Sequence, residues 1–133
     1  MFTSSNDADR HVMIRPATSD DISKVRNLLV ATWHDTYDSL LGVERVTETT
    51  NHWHALDVLA TQVARPNTSF LVASQNGEVV GHTFAVEQDG DVLLLSRLYV
   101  LPTCQRQGIG EGLLRAAMRR HPGTKRVQLV VEV

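Results

Sequence analysis

The chain is poor in cysteine, in net charge and in long apolar runs, and each shortage removes a class of protein. A single cysteine, Cys104, excludes an internal disulfide framework and fits a reducing compartment, so a cytoplasmic protein is expected. The formal charge is only −2 and the isoelectric point lies near 6.3. No broad basic surface is left to neutralise phosphates, so no nucleic-acid partner is expected. No apolar run approaches the ~18 residues of a membrane span, so no membrane partner is expected either. Met1 to His11 is polar and of mixed charge, unlike a secretory signal, and residues 1–11 are expected to form a flexible lead-in. Internal repeats and low-complexity segments are also missing.

What is present is an ordinary globular composition, 42% hydrophobic and 21% charged. At 133 residues it forms one domain, long enough to bury roughly two thirds of its unfolded surface. Val12-Met13-Ile14-Arg15 reads as a short strand stopped by Pro16. Thr18-Ser19-Asp20-Asp21 supplies helix-capping chemistry, and Ile22, Val25, Leu28 and Leu29 then recur at helical spacing towards Trp33 and Tyr37. Leu40-Leu41-Gly42 ends or bends that helix. Val43 to Arg65 reads as helix again, in two pieces, closed by Pro66-Asn67.

A meander follows. Ser69 to Gln75 and Glu78 to Gln88 read as strands joined by the hairpin turn Asn76-Gly77. Asp89-Gly90 turns into a third strand, Asp91 to Val100, which is apolar at both parities, Leu94 and Leu98 on one and Leu93 and Leu95 on the other. It is therefore expected to be central and covered on both faces. An amphipathic helix from Gly110 to Arg120 ends at His121-Pro122-Gly123, and the valine-rich run Arg126 to Val133 is a last strand. The order predicts an α/β domain with a mainly antiparallel sheet.

Between the third strand and the helix lies Gln105-Arg106-Gln107-Gly108-Ile109-Gly110. Its glycines let the backbone approach a ligand closely, and the helix behind it begins with unpaired amides and a partial positive charge. Such a junction suits a phosphate or pyrophosphate. The bland alternative is a strand-to-helix turn that needs glycine for shape alone. A P-loop is not indicated, because no Gly-Lys-Ser/Thr follows. A dinucleotide fingerprint is not indicated either, because Gly108, Gly110 and Gly112 alternate and the upstream strand ends an antiparallel meander.

Leu98-Tyr99-Val100-Leu101-Pro102, then Gln105-x-x-Gly108-x-Gly110, then Leu113-Leu114, resembles the acetyl-coenzyme A signature of the GNAT family of N-acetyltransferases. Trp33-x-x-x-Tyr37-x-x-Leu40-Leu41, with Trp53 beyond, is similar to the first helices of many small bacterial members. The resemblance covers residues 12–133. It implies a GNAT-like acyl-CoA N-acyltransferase fold, a mixed sheet with helices on both faces. It also implies transfer of an acetyl group from acetyl-CoA, as co-substrate, to a primary amine of a small molecule or protein by direct attack. On this resemblance the backbone amides from Gln107 through Gly108 and Ile109 to Gly110, with Glu111, would hold the cofactor's pyrophosphate. Gln105 belongs to the same cofactor-binding set, and Arg106 is either a contact to the phosphates or a solvated loop arginine. Its pantetheine arm would run beside Leu98 and Val100, and the Leu98 backbone N–H would polarise the thioester carbonyl.

The proton-transfer groups are less legible. Many members carry a glutamate on the central strand, where this chain has Leu94, Leu95, Ser96 and Arg97. Glu87 is a substitute base or an exposed strand-end carboxylate. His82 is better tuned as a base by its intrinsic pKa, or else is packed against a helix. Trp33, Tyr37 and Trp53 are core by type, but the family's first helices wall the acceptor site, so Trp33, His34 and Tyr37 are candidate substrate contacts, with Asp35 nearby. His52-x-His54 lacks a third ligand at a matching spacing and no metal is expected. Cys104 is read as a small packed side chain rather than a nucleophile.

The family's strand matching Val127 to Val133 is followed by an Asn, a helix, a Tyr and two strands, and these are not found up to Val133. A C-terminally short domain with an open valine-rich edge is the expectation, and with it a homodimer that covers that edge. The lack of strand glutamate and tyrosine keeps a second reading in view, a catalytically silent acyl-CoA-binding module.

Overall fold

A computed structural model describes residues 11–89 and 91–129 of the chain. The expected lead-in over residues 1–10, Gly90 of the second hairpin and residues 130–133 of the last strand lie outside the described residues.

The first strand, β1 (Met13–Pro16), is tied to the first helix by one carboxylate. Asp21 accepts from both terminal nitrogens of Arg15, at 2.7 and 3.1 Å, and from the Thr18 backbone N–H at 2.8 Å. The Arg15 hydrogen bond dominates in holding the Asp21 carboxyl at a pKa of about 2, below its ordinary 3.8, against the opposing cost of burial. Because the folded pKa is depressed, this contribution is complete above pH ~4 and is lost as pH falls towards 2. Arg15 is 37% exposed, so solvent screens the pair and the contribution is on the order of 1–2 kcal/mol. Urea unfolding between pH 5 and pH 2 is expected to show a drop of that size that Asp21→Asn removes. An identical pH slope in the variant would refute it.

Helix α1 (Ile22–Leu41) buries Val25, Leu28, Leu29, Thr32 and Trp33 on one face, the spacing read from the sequence. It stops at Gly42, whose φ of 90° reverses the chain into α2 (Val43–Trp53), and α3 (Leu56–Val63) follows after a break at His54 and Ala55. Arg26 of α1 closes the end of α2. Its guanidinium donates to the His54 carbonyl at 2.9 Å, beyond the last turn of α2, and at 3.1 Å to the Thr50 carbonyl, which also accepts the His54 N–H.

Strands β2 (Thr68–Gln75), β3 (Glu78–Gln88) and β4 (Val92–Val100) form an antiparallel meander. Asn76 and Gly77 take φ values of 55° and 81°, the left-handed pair that a tight hairpin with right-twisted strands requires. Helix α4 (Ile109–Arg120) then crosses back and delivers β5 (Arg126–Leu129) parallel to β4. The sheet order is β1-β2-β3-β4-β5.

Alternation along the strands supplies two cores. Leu71, Ala73, Val80, Ala85, Leu93 and Leu95 face α4 and meet its Ile109, Leu113 and Ala117. Phe70, Val72, Val79 and Phe84 face the other way, onto Val25 and Leu29 of α1 and Leu59 of α3. The expected mixed α/β sheet with helices on both faces is therefore present, and β4 is interior.

One expectation about β4 is corrected. Simple alternation set Leu98 with Leu94, opposite Leu93 and Leu95. Phe84 pairs with Arg97 and Ala85 with Leu95, so Ser96 is an extra residue in β4. This bulge shifts the parity. Leu98 and Val100 join Leu93 and Leu95 on the α4 face, and Tyr99 packs on the opposite one.

Candidate functional site

The strand-to-helix junction is shaped by a chain of local bonds. Leu101 N–H donates to Val80 at 2.9 Å, Cys104 N–H closes a short turn on Leu101 at 2.9 Å, and the Gln105 side chain donates to the Val100 carbonyl at 3.2 Å. Arg106 and Gly108 both take left-handed backbone, with φ of 68° and 80°. Gly108 is the residue from which α4 springs, and its carbonyl accepts the Gly112 N–H at 2.9 Å. The earlier amides, those of Ile109, Gly110 and Glu111, have no acceptor within the helix, and no side chain caps them.

These amides border a cavity of about 370 Å³. Every residue expected to hold the cofactor lines it except Gln107, and Cys104 joins them. Glu111 is bound to Arg115 one turn along at 2.7 Å, which offsets its charge beside the unpaired amides. Room at the helix start is real: a Cβ on Gly110 would lie 3.8 Å from Val100 and one on Gly108 would meet nothing within 4 Å.

The bulge also sets the direction of a backbone donor. Thr83 Oγ1 donates to the Arg97 carbonyl at 2.7 Å, so that carbonyl points towards β3. No described peptide is cis, and a trans peptide aims its N–H opposite to its C=O. The Leu98 N–H thus faces away from β3, towards the side on which β5 runs. Described β4–β5 pairs extend from Val92↔Arg126 to Leu95↔Leu129, just before the bulge.

On the other face of this segment lies a second cavity, of about 470 Å³, walled by Trp33, Trp53, Phe84, Tyr99, Gln62 and Arg97 among others. Trp33 donates its indole N–H to the Tyr99 hydroxyl at 3.2 Å and meets Trp53 edge-on at 5.6 Å. Of the three candidate substrate contacts only Trp33 lines this cavity. Tyr37 meets the Trp33 ring at a tilt, 4.7 Å between centroids, and does not line the cavity. His34 is taken up by Asp38 at 2.6 Å on its own helix.

Neither candidate base is placed for the task. His82 is fully buried, with Nδ1 2.9 Å from the Leu71 carbonyl and Nε2 accepting from Arg97 Nε at 3.1 Å. Its only lone pair is therefore engaged, and protonation would set two cations in contact. Burial first and Arg97 second push its pKa well below the ordinary value. Of the two alternatives left open for His82, the packed side chain is the one found. Glu87 lies on the α4 face and binds His121 Nδ1 at 2.6 Å, with Ser69 2.7 Å from the other ring nitrogen. That is the C-terminal end of α4, about 18 Å along a twelve-residue helix from the glycine loop.

The residue that sequence reasoning missed is Arg97. The one charged residue in a mainly apolar strand, next to Ser96, was the available signal. Among the described residues no three His, Cys, Asp or Glu side chains group as a metal site, and no described helix is long and apolar enough to cross a membrane.

Comparison with known proteins places this geometry. The fold is similar to the PaiA N-acetyltransferase of Thermoplasma acidophilum solved with coenzyme A, at 20% identity and a TM-score of 0.79, over 84% of this chain and 72% of that one. It is similar to a GNAT family acetyltransferase of Brucella melitensis solved with acetyl-CoA, at 23% identity and 0.69, over 93% and 78%. An aminoglycoside acetyltransferase from an uncultured soil metagenomic sample matches at 16% and 0.67, over 92% and 81%. At such identities these likenesses speak for the fold. No protein of curated function matches the sequence significantly. The model of the acetyltransferase (GNAT) family matches residues 24–133, a span that holds the helical section, the meander, the glycine loop and α4. The chain therefore belongs to the GNAT family of acetyltransferases.

Proposed function

We propose that the chain transfers the acetyl group of acetyl-CoA to a primary amine by direct attack. The observation that carries the reading is the cavity at the start of α4, where unpaired amides of Ile109, Gly110 and Glu111 meet the β4 residues Leu98 and Val100. The donors suit a pyrophosphate and the apolar strand suits a pantetheine arm. In this reading the Leu98 N–H donates to the thioester oxygen as negative charge develops there. The amine nitrogen bonds to the carbonyl carbon, the carbon–sulfur bond breaks, and the thiolate departs with the electron pair. The proton shed by nitrogen passes to water, since His82 and Glu87 are both committed elsewhere.

That same commitment favours a second reading, a silent acyl-CoA-binding module. Calorimetric titration with acetyl-CoA tests what the two share, and absence of binding would sink both. Thiol release over a panel of amines separates them: steady release supports transfer, and binding without release supports the silent module. A homodimer through β5, on which Val127 and Leu129 are 40% and 53% exposed, belongs to the same proposal. Gel filtration at micromolar concentration distinguishes it from a monomer.

A further inference from the structure

The cavity beside Trp33 and Trp53 holds a charge that no carboxylate among the described residues balances. Arg97 is 8% exposed, and its guanidinium lies over the Phe70 and Phe84 rings, 5.5 and 5.0 Å from their centroids. Its hydrogen bonds go to neutral acceptors, from Nε to His82 Nε2 and from Nη2 to Gln62 Oε1 at 2.7 Å. Among the described residues Nη1 makes no hydrogen bond and no carboxylate forms an ion pair with Arg97. A buried cation is costly without an anion, and stacking between two rings offsets only part of that cost. Burial lowers its pKa to about 10, against a smaller opposing contribution from Tyr99, so it remains charged at neutral pH.

The rest of the cavity adds to this imbalance. Among the described residues no aspartate or glutamate lines it, and it carries a second cation, Arg65, at its exposed rim. His54 on its wall is held neutral, its pKa lowered to about 4 by burial and then by Arg97 and Arg26. A positive, aromatic-walled cavity repels a polycationic amine and attracts an anion that brings apolar surface with it. The planar guanidinium, fixed in orientation by His82 and Gln62, is shaped for a carboxylate.

We propose that the acceptor is an amine that also carries a carboxylate and an apolar or aromatic side chain, as an amino acid does. The carboxylate meets Arg97, and the side chain lies among Trp33, Trp53 and Phe84. Arg97 is the chain neighbour of Leu98, so an acceptor held there has its amine within reach of a thioester at the Leu98 N–H. The inference rests on the acetyl-transfer reading for its chemistry, but the binding preference is measured separately.

The chain's two tryptophans, Trp33 and Trp53, both line this cavity, so intrinsic fluorescence reports on it alone. The probes are the product analogues N-acetyl-leucine and N-acetyl-phenylalanine, each against its neutral amide, titrated into the wild-type chain with coenzyme A present. The acids are expected to bind at least about tenfold more tightly than the amides, as charge-assisted bonds to a desolvated guanidinium require. Arg97→Gln is expected to abolish the preference while coenzyme A affinity, read by calorimetry, is retained. Should Arg97→Gln fail to fold, Arg65→Gln at the exposed rim is expected to reduce the preference about threefold through loss of screened attraction. Equal binding of acid and amide, tighter binding of the amide, or no fluorescence response to either would overturn the proposal. Failure of coenzyme A to bind would instead sink the acetyl-transfer reading and leave the acid–amide comparison standing.

Discussion

Gly108→Val is expected to weaken acetyl-CoA binding roughly tenfold to a hundredfold, the equivalent of losing one or two amide bonds to a charged group. The cause is backbone rather than bulk. Gly108 holds φ 80° and ψ 7°, and a Cβ there would touch nothing within 4 Å. A side chain in left-handed backbone costs about 1–2 kcal/mol, more for a β-branched residue. The loop escapes that cost by turning Gly108 out of the left-handed region, which rotates the amides of Ile109 and Gly110 away from the cavity. Asparagine visits left-handed backbone readily, so Gly108→Asn is expected to stay close to wild type by calorimetry. Loss of the same size in both variants would show that bulk matters and not backbone. Unchanged affinity in the valine variant would remove the loop from the binding site altogether.

Leu113→Ala is expected to cost about 2–5 kcal/mol, a large share of the stability of a domain this size. Leu113 is fully buried between α4 and the sheet, and it faces Gly81 of β3, which α4 approaches closely. A Cβ on Gly81 would sit 3.0 Å from Leu113 Cδ1, 3.1 Å from Ile109 Cγ2 and 3.3 Å from the Tyr99 carbonyl. Gly81→Ala alone is therefore expected to destabilise by crowding. In the Leu113→Ala background it fills part of the void, so the double variant is expected to be more stable than the sum of the singles predicts, by on the order of 1 kcal/mol. Urea unfolding of the four proteins measures this coupling. Simple additivity would mean that α4 and β3 do not meet at Gly81 as described.

The two experiments concern the same helix from different ends. Leu113 and Ala117 fix how α4 lies on the sheet, and that placement sets where the free amides at its start point. The sequence announced both parts: the amphipathic pattern from Gly110 to Arg120 for the first, and glycines between an apolar strand and that helix for the second. Both signals are local, a few residues of chain whose geometry depends little on the remainder. For the same reason the hairpin at Asn76-Gly77, the break at Gly42 and the division of the second helical stretch were readable in advance.

Other features were not local. His82 has an attractive intrinsic pKa, but its environment is made by Leu71 on one neighbouring strand and Arg97 on the other. Glu87 ends a strand and invites a catalytic reading, until α4 brings His121 onto it. Arg97 looked like a missing glutamate in the strand pattern; only the fold shows a cation held by a glutamine of α3, thirty-five residues earlier in the chain, and open to an aromatic cavity.

The sequence by itself determined the order of elements, the two-sided core and the glycine loop at the start of α4, because apolar periodicity and glycine placement act over short stretches of backbone. Tertiary structure decided which face of β4 each residue serves. A single extra residue, Ser96, reverses the alternation, and that bulge arises from how β4 matches β3, a property of two strands together. It turns Leu98 towards the cavity at the start of α4 and leaves Arg97 on the other face, lining the second cavity.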